Sequence, residues 1–325
     1  MSDSQNRLKL IILSGFLGAG KSTWLRHQLY AETFYKPHII VNEVASQAVD
    51  DTLLHSAKAL DVLQGGCVCC DLKSQMVELL HGICNKRTRK LSEDSGGILI
   101  FEMSGVADPS NVMFAINDDP ILARHIVLEK IIVVVDALHG IEQIKSEPLA
   151  RSQIEAADQI LISKAENCSE QDLSRLVATL KYMNPNENIT QSLFGVESSL
   201  PELKPAAPIM FSKREAADNL LPITSIHLNL DDLSLIADTW VGFSVWLSAL
   251  LNLHGDQIVR IKGIVRTPNG RLLLQSVRKV MQNPERIPDE LDNTLDIAEN
   301  KVVLIGRNLD KIEISGSLKK VLNDI

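Results

Sequence analysis

The sequence predicts an α/β protein: a mostly parallel, doubly wound sheet followed by a smaller α+β domain. Three observations predict it. Short runs rich in Ile, Val and Leu alternate with helical stretches across residues 9–183. These runs are apolar throughout, as strands buried on both faces are. A proline-rich stretch then leads into a tail with an alternating strand pattern and a hairpin-type turn signal.

Taken in order, strands are expected at Lys9–Ser14, His38–Asn42, Ile98–Glu102, Lys130–Asp136 and Gln159–Ser163, each bounded by Gly, Asp or Ser. Helices are expected between them at Ser22–Ala31, Leu72–Lys86, Pro148–Ala157 and Glu170–Met183. The stretch from Ser198 to Pro222 carries Pro201, Pro205, Pro208 and Pro222 among Ala, Ser, Lys and Glu, and reads as a linker. Domain limits of 1–197 and 223–325 follow, with 198–222 between them. In the tail, Ile223–Leu230 alternates like a strand and Trp240–Leu253 reads as a helix. Gln257–Arg266 and Arg271–Val280 flank Thr267-Pro268-Asn269-Gly270, whose Asn-Gly pair favours a tight hairpin. Lys301–Gly306 is a further strand.

Composition narrows the class. The chain has 325 residues, 45% hydrophobic and 23% charged, which excludes wholesale disorder and allows roughly two domains. Lys and Arg number 33 against 41 Asp and Glu, a net charge of −8, so a general binder of nucleic acid or anionic membrane is not expected. Aromatic residues are 4%, too few for a single-strand stacking platform. No apolar run reaches the ~18–20 residues that span a bilayer. Arg7 and Lys9 before Leu10–Leu13 loosely imitate a signal peptide, but the run is brief and enters a glycine-rich loop at once. The five cysteines, three of them clustered, do not resemble a secreted disulfide framework, so a cytoplasmic location is expected.

Residues Gly15-Phe16-Leu17-Gly18-Ala19-Gly20-Lys21-Ser22 match the phosphate-binding loop at every fixed position, between an expected strand and an expected helix. In that context the backbone N–H groups of Gly15, Gly18, Ala19 and Gly20 wrap a triphosphate at a helix N-terminus, with Thr23 following. Lys21 would bridge the outer phosphates and Ser22 would ligate Mg2+. A second acid near Mg2+ is supplied by Glu102, at the end of an apolar strand, and Gly105 could let the backbone swing toward the terminal phosphate. Ser163-Lys164-Ala165-Glu166 occupies a strand end where GTP-binding proteins commonly place Asn-Lys-x-Asp. The carboxylate is kept one methylene further out, which predicts a weakened preference for guanine. Asn42-Glu43 and, beyond it, Asp50 lie where such proteins sense the terminal phosphate.

Gly65-Gly66-Cys67-Val68-Cys69-Cys70 is the most unusual string. Three thiols within four residues can converge on one soft or borderline ion, such as Zn2+ or another late transition metal. Cys67, Cys69 and Cys70 would leave a coordination position open, which suits transfer better than a closed structural site. Inert buried cysteines and a redox thiol pair are the competing readings. Cys84 and Cys168 stand alone and read as structural.

The combination of Gly15 to Thr23, Asn42-Glu43, Cys67-Val-Cys69-Cys70, Glu102-Met-Ser-Gly-Val-Ala-Asp-Pro109 and Val-Val-Asp136-Ala137 resembles the CobW-like family of P-loop GTPases and metallochaperones. Trp246-Leu247, Arg260-Ile-Lys262-Gly263 and Ile305-Gly306-Arg307-Asn308 resemble its C-terminal domain, so the likeness spans nearly the whole chain. The resemblance implies GTP hydrolysis, with Lys21 and Glu102 catalytic. It implies Mg2+ at Ser22, Glu102 and the switch residue Asp50. Its cargo would be Zn2+, or Co2+ or Fe2+, on Cys67, Cys69, Cys70 and Glu43, destined for a client metalloprotein. Ala45 stands where relatives commonly have Gly, and no His-rich tract is present, which disfavours metal storage. Two other functions fit parts of the pattern. A metal- or redox-sensing nucleotide-binding module would use the cysteines, and a small-molecule P-loop kinase would use the phosphate loop alone.

Overall fold

The computed structural model describes residues 7–43, 57, 59–64, 71–89, 97–185, 188–209, 223–231, 237–255, 257–267, 270–287 and 299–323. The chain divides into two compact units, Met1–Glu215 and Ala216–Ile325.

In the first unit the described strands form one sheet of eight. They are β1 (Leu8–Gly15), β2 (His38–Glu43), β3 (Ala59–Gln64), β4 (Ile98–Glu102), β5 (Ile126–Asp136), β6 (Gln159–Ser163), β7 (Ile189–Leu193) and β8 (Val196–Ser198). Their spatial order is β3-β2-β4-β1-β5-β6-β7-β8, and all neighbours are parallel except β7 and β8. Parallel pairing has a direct consequence for function. Gly15, Glu43, Glu102, Asp136, Ser163 and Leu193 each end a parallel strand, so they line one edge of the sheet. Ligands of open α/β sheets bind at that edge, where successive connections leave in opposite directions.

Continuous apolar runs explain the burial of the central strands. Ile12, Leu13, Ile100, Ile132 and Leu161 are all wholly buried. Helix α1 (Lys21–Tyr30) covers one face of the sheet, with Trp24, Leu25 and Leu29 packed on Ile11, Leu13, Ile39, Ile100 and Val134. The remaining described helices of this unit are α2 (Asp71–Arg89), α3 (Pro109–Asp118), α4 (Pro120–His125), α5 (Gly140–Ser146), α6 (Pro148–Ala156) and α7 (Glu170–Met183). Their starts carry the expected chemistry. Asp108 accepts from the Ser110 N–H at 2.8 Å with Pro109 in the first turn, and Ser169 caps α7 through the Asp172 N–H.

The predicted strands and helices of this unit are present, with β5 reaching back to Ile126 rather than starting at Lys130. Strands β3, β7 and β8 and helices α3, α4 and α5 were not anticipated.

Among the described residues the second unit is a mostly antiparallel sheet with two helices. Its strands are β9 (Ile223–Asn229), β10 (Ile258–Thr267), β11 (Gly270–Val277), β12 (Val280–Met281), β13 (Glu285–Ile287) and β14 (Lys301–Arg307). The order is β12-β11-β10-β14-β9, with β13 on β11. Thr267 pairs with Gly270, which closes the hairpin that Asn-Gly predicts. Helices α8 (Ala237–His254) and α9 (Lys311–Asn323) bury Phe243, Trp246, Leu250 and Ile314 with Ile261, Val265 and Leu304 of the sheet. The Trp246 indole N–H donates to Ser317 Oγ at 3.0 Å and ties the helices together. No helix among the described residues is long and apolar enough to cross a membrane.

Candidate nucleotide and metal site

The loop between β1 and α1 is built by backbone rules before any ligand is considered. Gly15 has φ 134°, and a Cβ there would lie 2.3 Å from the Val134 carbonyl oxygen, so β1 must end in glycine to pass β5. Gly105 is needed for a different reason. A Cβ on it would lie 2.5 Å from the Leu17 backbone nitrogen, so the segment after β4 touches the phosphate loop directly. Gln153 of α6, 1% exposed, holds that segment with its side-chain amide, donating to Ala107 O at 2.9 Å and to Gly105 O at 3.4 Å.

Lys21 is buried, and its ammonium donates to Gly15 O at 2.8 Å and Phe16 O at 3.1 Å. The charge therefore lies across the mouth of the loop. Ser22, the second residue of α1, donates from Oγ to Glu102 Oε1 at 2.5 Å. Glu102 is 2% exposed at the end of β4, so a serine hydroxyl and a buried carboxylate face each other beside the lysine. Two hard oxygen donors at the edge of a phosphate loop fit Mg2+ by the chemistry of the donor set.

On the opposite side of the loop, β6 supplies the next contacts. Ser163 Oγ donates to Ala19 O at 2.6 Å. Lys164, in the left-handed region with φ 58°, donates to Gly18 O at 2.8 Å and to Asp136 Oδ2 at 2.7 Å. Asp136 also accepts from the Leu138 N–H at 2.8 Å and from His139 Nδ1 at 3.1 Å. Burial alone would raise the Asp136 carboxyl, but the hydrogen bonds from Lys164, His139 and the Leu138 N–H outweigh it and hold it below the usual carboxylate range.

The structure thus brings together Gly15, Gly18, Ala19, Gly20, Lys21, Ser22, Thr23, Glu102, Gly105, Ser163 and Lys164. Glu166 is exposed on the 3₁₀ turn Ala165–Asn167, where it accepts from Asn167 Nδ2 at 3.3 Å. Glu43 ends β2 and pairs with Gln64 in the strand register. Asp50, Cys67, Cys69 and Cys70 lie outside the described residues. Among the described residues no group of three or more His, Cys, Asp or Glu could hold a metal ion. Cys84 is buried and its thiol is pushed up to about 11, chiefly by that burial, as expected of an inert structural cysteine.

Two contributors escaped the sequence reading. Asp136 entered only as part of a string, although an acid that ends an apolar strand was the available signal. Gln153 carries no sequence signal. A third residue is notable. Asn42, 1% exposed, has no hydrogen-bond partner for its side-chain nitrogen or oxygen among the described residues. Its neighbour Val41 packs toward α1, so Asn42 points to the other face of the sheet.

A glycine-rich loop that opens a helix, with a buried strand-end acid against its serine, defines a P-loop nucleotide-binding protein. The CobW/HypB/UreG nucleotide-binding domain matches residues 9–191, and the C-terminal domain of the cobalamin synthesis protein cobW matches residues 239–322. The chain belongs to the CobW/HypB/UreG family. It is 27% identical over 295 residues to the zinc chaperone YjiA of Escherichia coli, covering 85% of this chain and 87% of that one. It is 26% identical over 364 residues to the zinc chaperone CobW of Pseudomonas aeruginosa, covering 97% and 92%. The crystal structure of Zn(II)-bound YjiA GTPase from E. coli shares the fold, at 22% identity and a TM-score of 0.57 over 97% of this chain and 99% of that one.

Proposed function

We propose that this chain is a GTP hydrolase that binds zinc through Cys67, Cys69, Cys70 and Glu43 and delivers it to a client metalloprotein, with the nucleotide state setting the metal affinity. The observation that carries the reading is the Ser22–Glu102 pair at 2.5 Å beside the buried Lys21, in a family whose near-full-length relatives include zinc chaperones.

Ser22 and Glu102 would hold Mg2+, with Asp50 a third candidate; when bound, the ion neutralises charge on the outer phosphates. Lys21 exchanges two neutral carbonyl acceptors for phosphate oxygens. The loop N–H groups and the α1 N-terminus take the remaining charge. Gly105 brings the segment after β4 against Leu17, where it can register the terminal phosphate. Lys164 and Glu166 face the base side, with Glu166 the carboxylate for the guanine edge. No arginine finger is apparent in the sequence, so turnover is slow without metal or client.

The strand register supports the coupling. Val41 pairs with Glu102, and Glu43 pairs with Gln64, which immediately precedes the cysteine string. The carboxylate proposed for Mg2+ and the carboxylate proposed for zinc therefore end adjacent strands. Reduced thiolates of this kind suit the cytoplasm. Coupling of two sites is reciprocal, so zinc must shift GTP affinity by the factor by which GTP shifts zinc affinity. The test is Zn2+ affinity by chelator competition, with Mg2+ and a non-hydrolysable GTP analogue against Mg2+ and GDP. Tighter zinc in the triphosphate state, lost in Cys67→Ala, is expected. Equal affinities in the two states would overturn the coupling.

A further inference from the structure

We infer that Phe194 is the residue against which the nucleobase packs, an inference that rests on the nucleotide-binding reading above. The row of strand ends fixes where a base must lie. Ser22 and Glu102 mark the terminal-phosphate end of the site, on the β4 side of the loop. On the other side, Ser163 of β6 touches Ala19, and Lys164 reaches Gly18. A nucleotide with its phosphates in the loop therefore extends its nucleoside toward β6 and β7. Ser163 pairs with Ser192 of β7, so Lys164 lies one residue beyond this pair and Phe194 two residues beyond it. The two side chains belong to neighbouring connections at the same edge.

Phe194 runs against the residue preference of its turn and is exposed. Leu193 pairs with Val196, which leaves Phe194-Gly195 as a two-residue hairpin turn. Both turn residues have positive φ, 52° and 96°, the pattern of a type I′ turn. Such turns favour Asn, Asp or Gly at the first position, because other side chains are strained there. The residue is 80% exposed, so packing does little to offset that strain. Yet the turn is firmly held. Gln28 Nε2 donates to Gly195 O at 3.1 Å, and a Cβ on Gly195 would lie 2.4 Å from His27 Cβ and 3.2 Å from Thr23 O. Thr23 directly follows the phosphate-loop serine. The hairpin turn is pinned mainly to the last turn of α1, through Gln28 and His27, with Thr23 O of the first turn also close, and it carries an exposed aromatic residue at the same sheet edge as the phosphate loop. A locally strained residue without a packing role is the kind retained for a ligand. A planar purine is the matching partner, since any base offers a π-face to a phenyl ring. Phe194 thereby supplies affinity for the base, while selection of guanine is left to the Glu166 turn.

The test uses the full chain with Phe194→Asn and Phe194→Trp, titrated calorimetrically with GDP and, separately, with pyrophosphate. Asn suits the turn, so Phe194→Asn unfolds at the same or a higher temperature than the parent. Its Kd for GDP rises roughly tenfold, the scale of one lost base–aromatic stack, while pyrophosphate binds unchanged. In Phe194→Trp, GDP affinity is retained, and GDP but not pyrophosphate quenches the indole emission. A Phe194→Asn variant that binds GDP within twofold of the parent, or that weakens pyrophosphate equally, overturns the inference and returns Phe194 to an exposed patch with Val196. If the parent chain binds pyrophosphate but not GDP, the guanine-nucleotide reading falls first and this inference falls with it.

Discussion

Replacing Asp136 by Asn tests how the proposed base side of the site is held. The carboxylate is 4% exposed and receives N–H donors from Lys164, Leu138 and His139. Asn has the same shape and can still accept from the Leu138 N–H at 2.8 Å, so the turn after β5 survives. Its amide then faces the Lys164 ammonium, which loses its anion at 2.7 Å. Breaking a fully buried pair costs about 3–5 kcal/mol, because a charge is stranded. Lys164 is 38% exposed, so water can reach it and the cost falls to about 1–2 kcal/mol. If Lys164 then also leaves Gly18 O, the phosphate loop and the turn after β6 lose the tie that holds them in register. GDP affinity should drop about tenfold, the equivalent of about 1.4 kcal/mol. Calorimetry of Asp136→Asn, Lys164→Met and the double variant measures the coupling. A double variant no worse than the poorer single one is expected. Additivity within about 0.5 kcal/mol would show that Asp136 acts without Lys164 and refute the reasoning.

Other outcomes follow from the same side chains. Asn42→Leu removes a buried amide with no hydrogen-bond partner among the described residues, so urea unfolding stability should rise by about 1–3 kcal/mol, and a loss of stability would show that the amide is satisfied in solution. Cys84 should resist iodoacetamide at pH 8 in the folded chain and react once unfolded, because its thiol is pushed up to about 11; rapid labelling in the native state would contradict its burial. Asp136 and Asp119 are both held below the usual carboxylate range, the first by Lys164 against its own burial, the second by the Leu122 N–H and by His81. Folded-state values below the unfolded ones mean that their stabilisation is complete above about pH 4 and is lost as the pH falls below it. Urea midpoints should therefore decline below about pH 4, and less steeply in Asp136→Asn.

Much of the first unit was legible because its strands are uniformly apolar and its phosphate loop has fixed spacing. What was not legible is instructive. The start of β5 was hidden because Glu129 and Lys130 interrupt its apolar run; Glu129 forms an ion pair with Lys9 of β1 at 3.1 Å instead. Strand β3 was hidden by Asp61, whose carboxylate lies 2.7 Å from His38 Nε2 across the sheet. Strand β7 reads Ile-Thr-Gln-Ser-Leu, mostly polar, and its identity comes from its parallel pairing with β6. The site divides in the same way. Lys21, Ser22 and Glu102 announce themselves by motif. Asp136 matters because Asp136 pairs with Ser163 across β5 and β6, a neighbour relation that no window of sequence contains.

The amide of Gln153 has a consequence for motion. Its two acceptors, Gly105 O and Ala107 O, belong to the segment that touches the phosphate loop. At 1% exposure the amide has no water to fall back on. A small excursion of that segment strands a buried donor, at about 1–3 kcal/mol, before any new partner is within reach. Intermediate positions are thereby depopulated. If that segment registers the terminal phosphate as proposed, it would do so as a latch with two stops rather than as a spring.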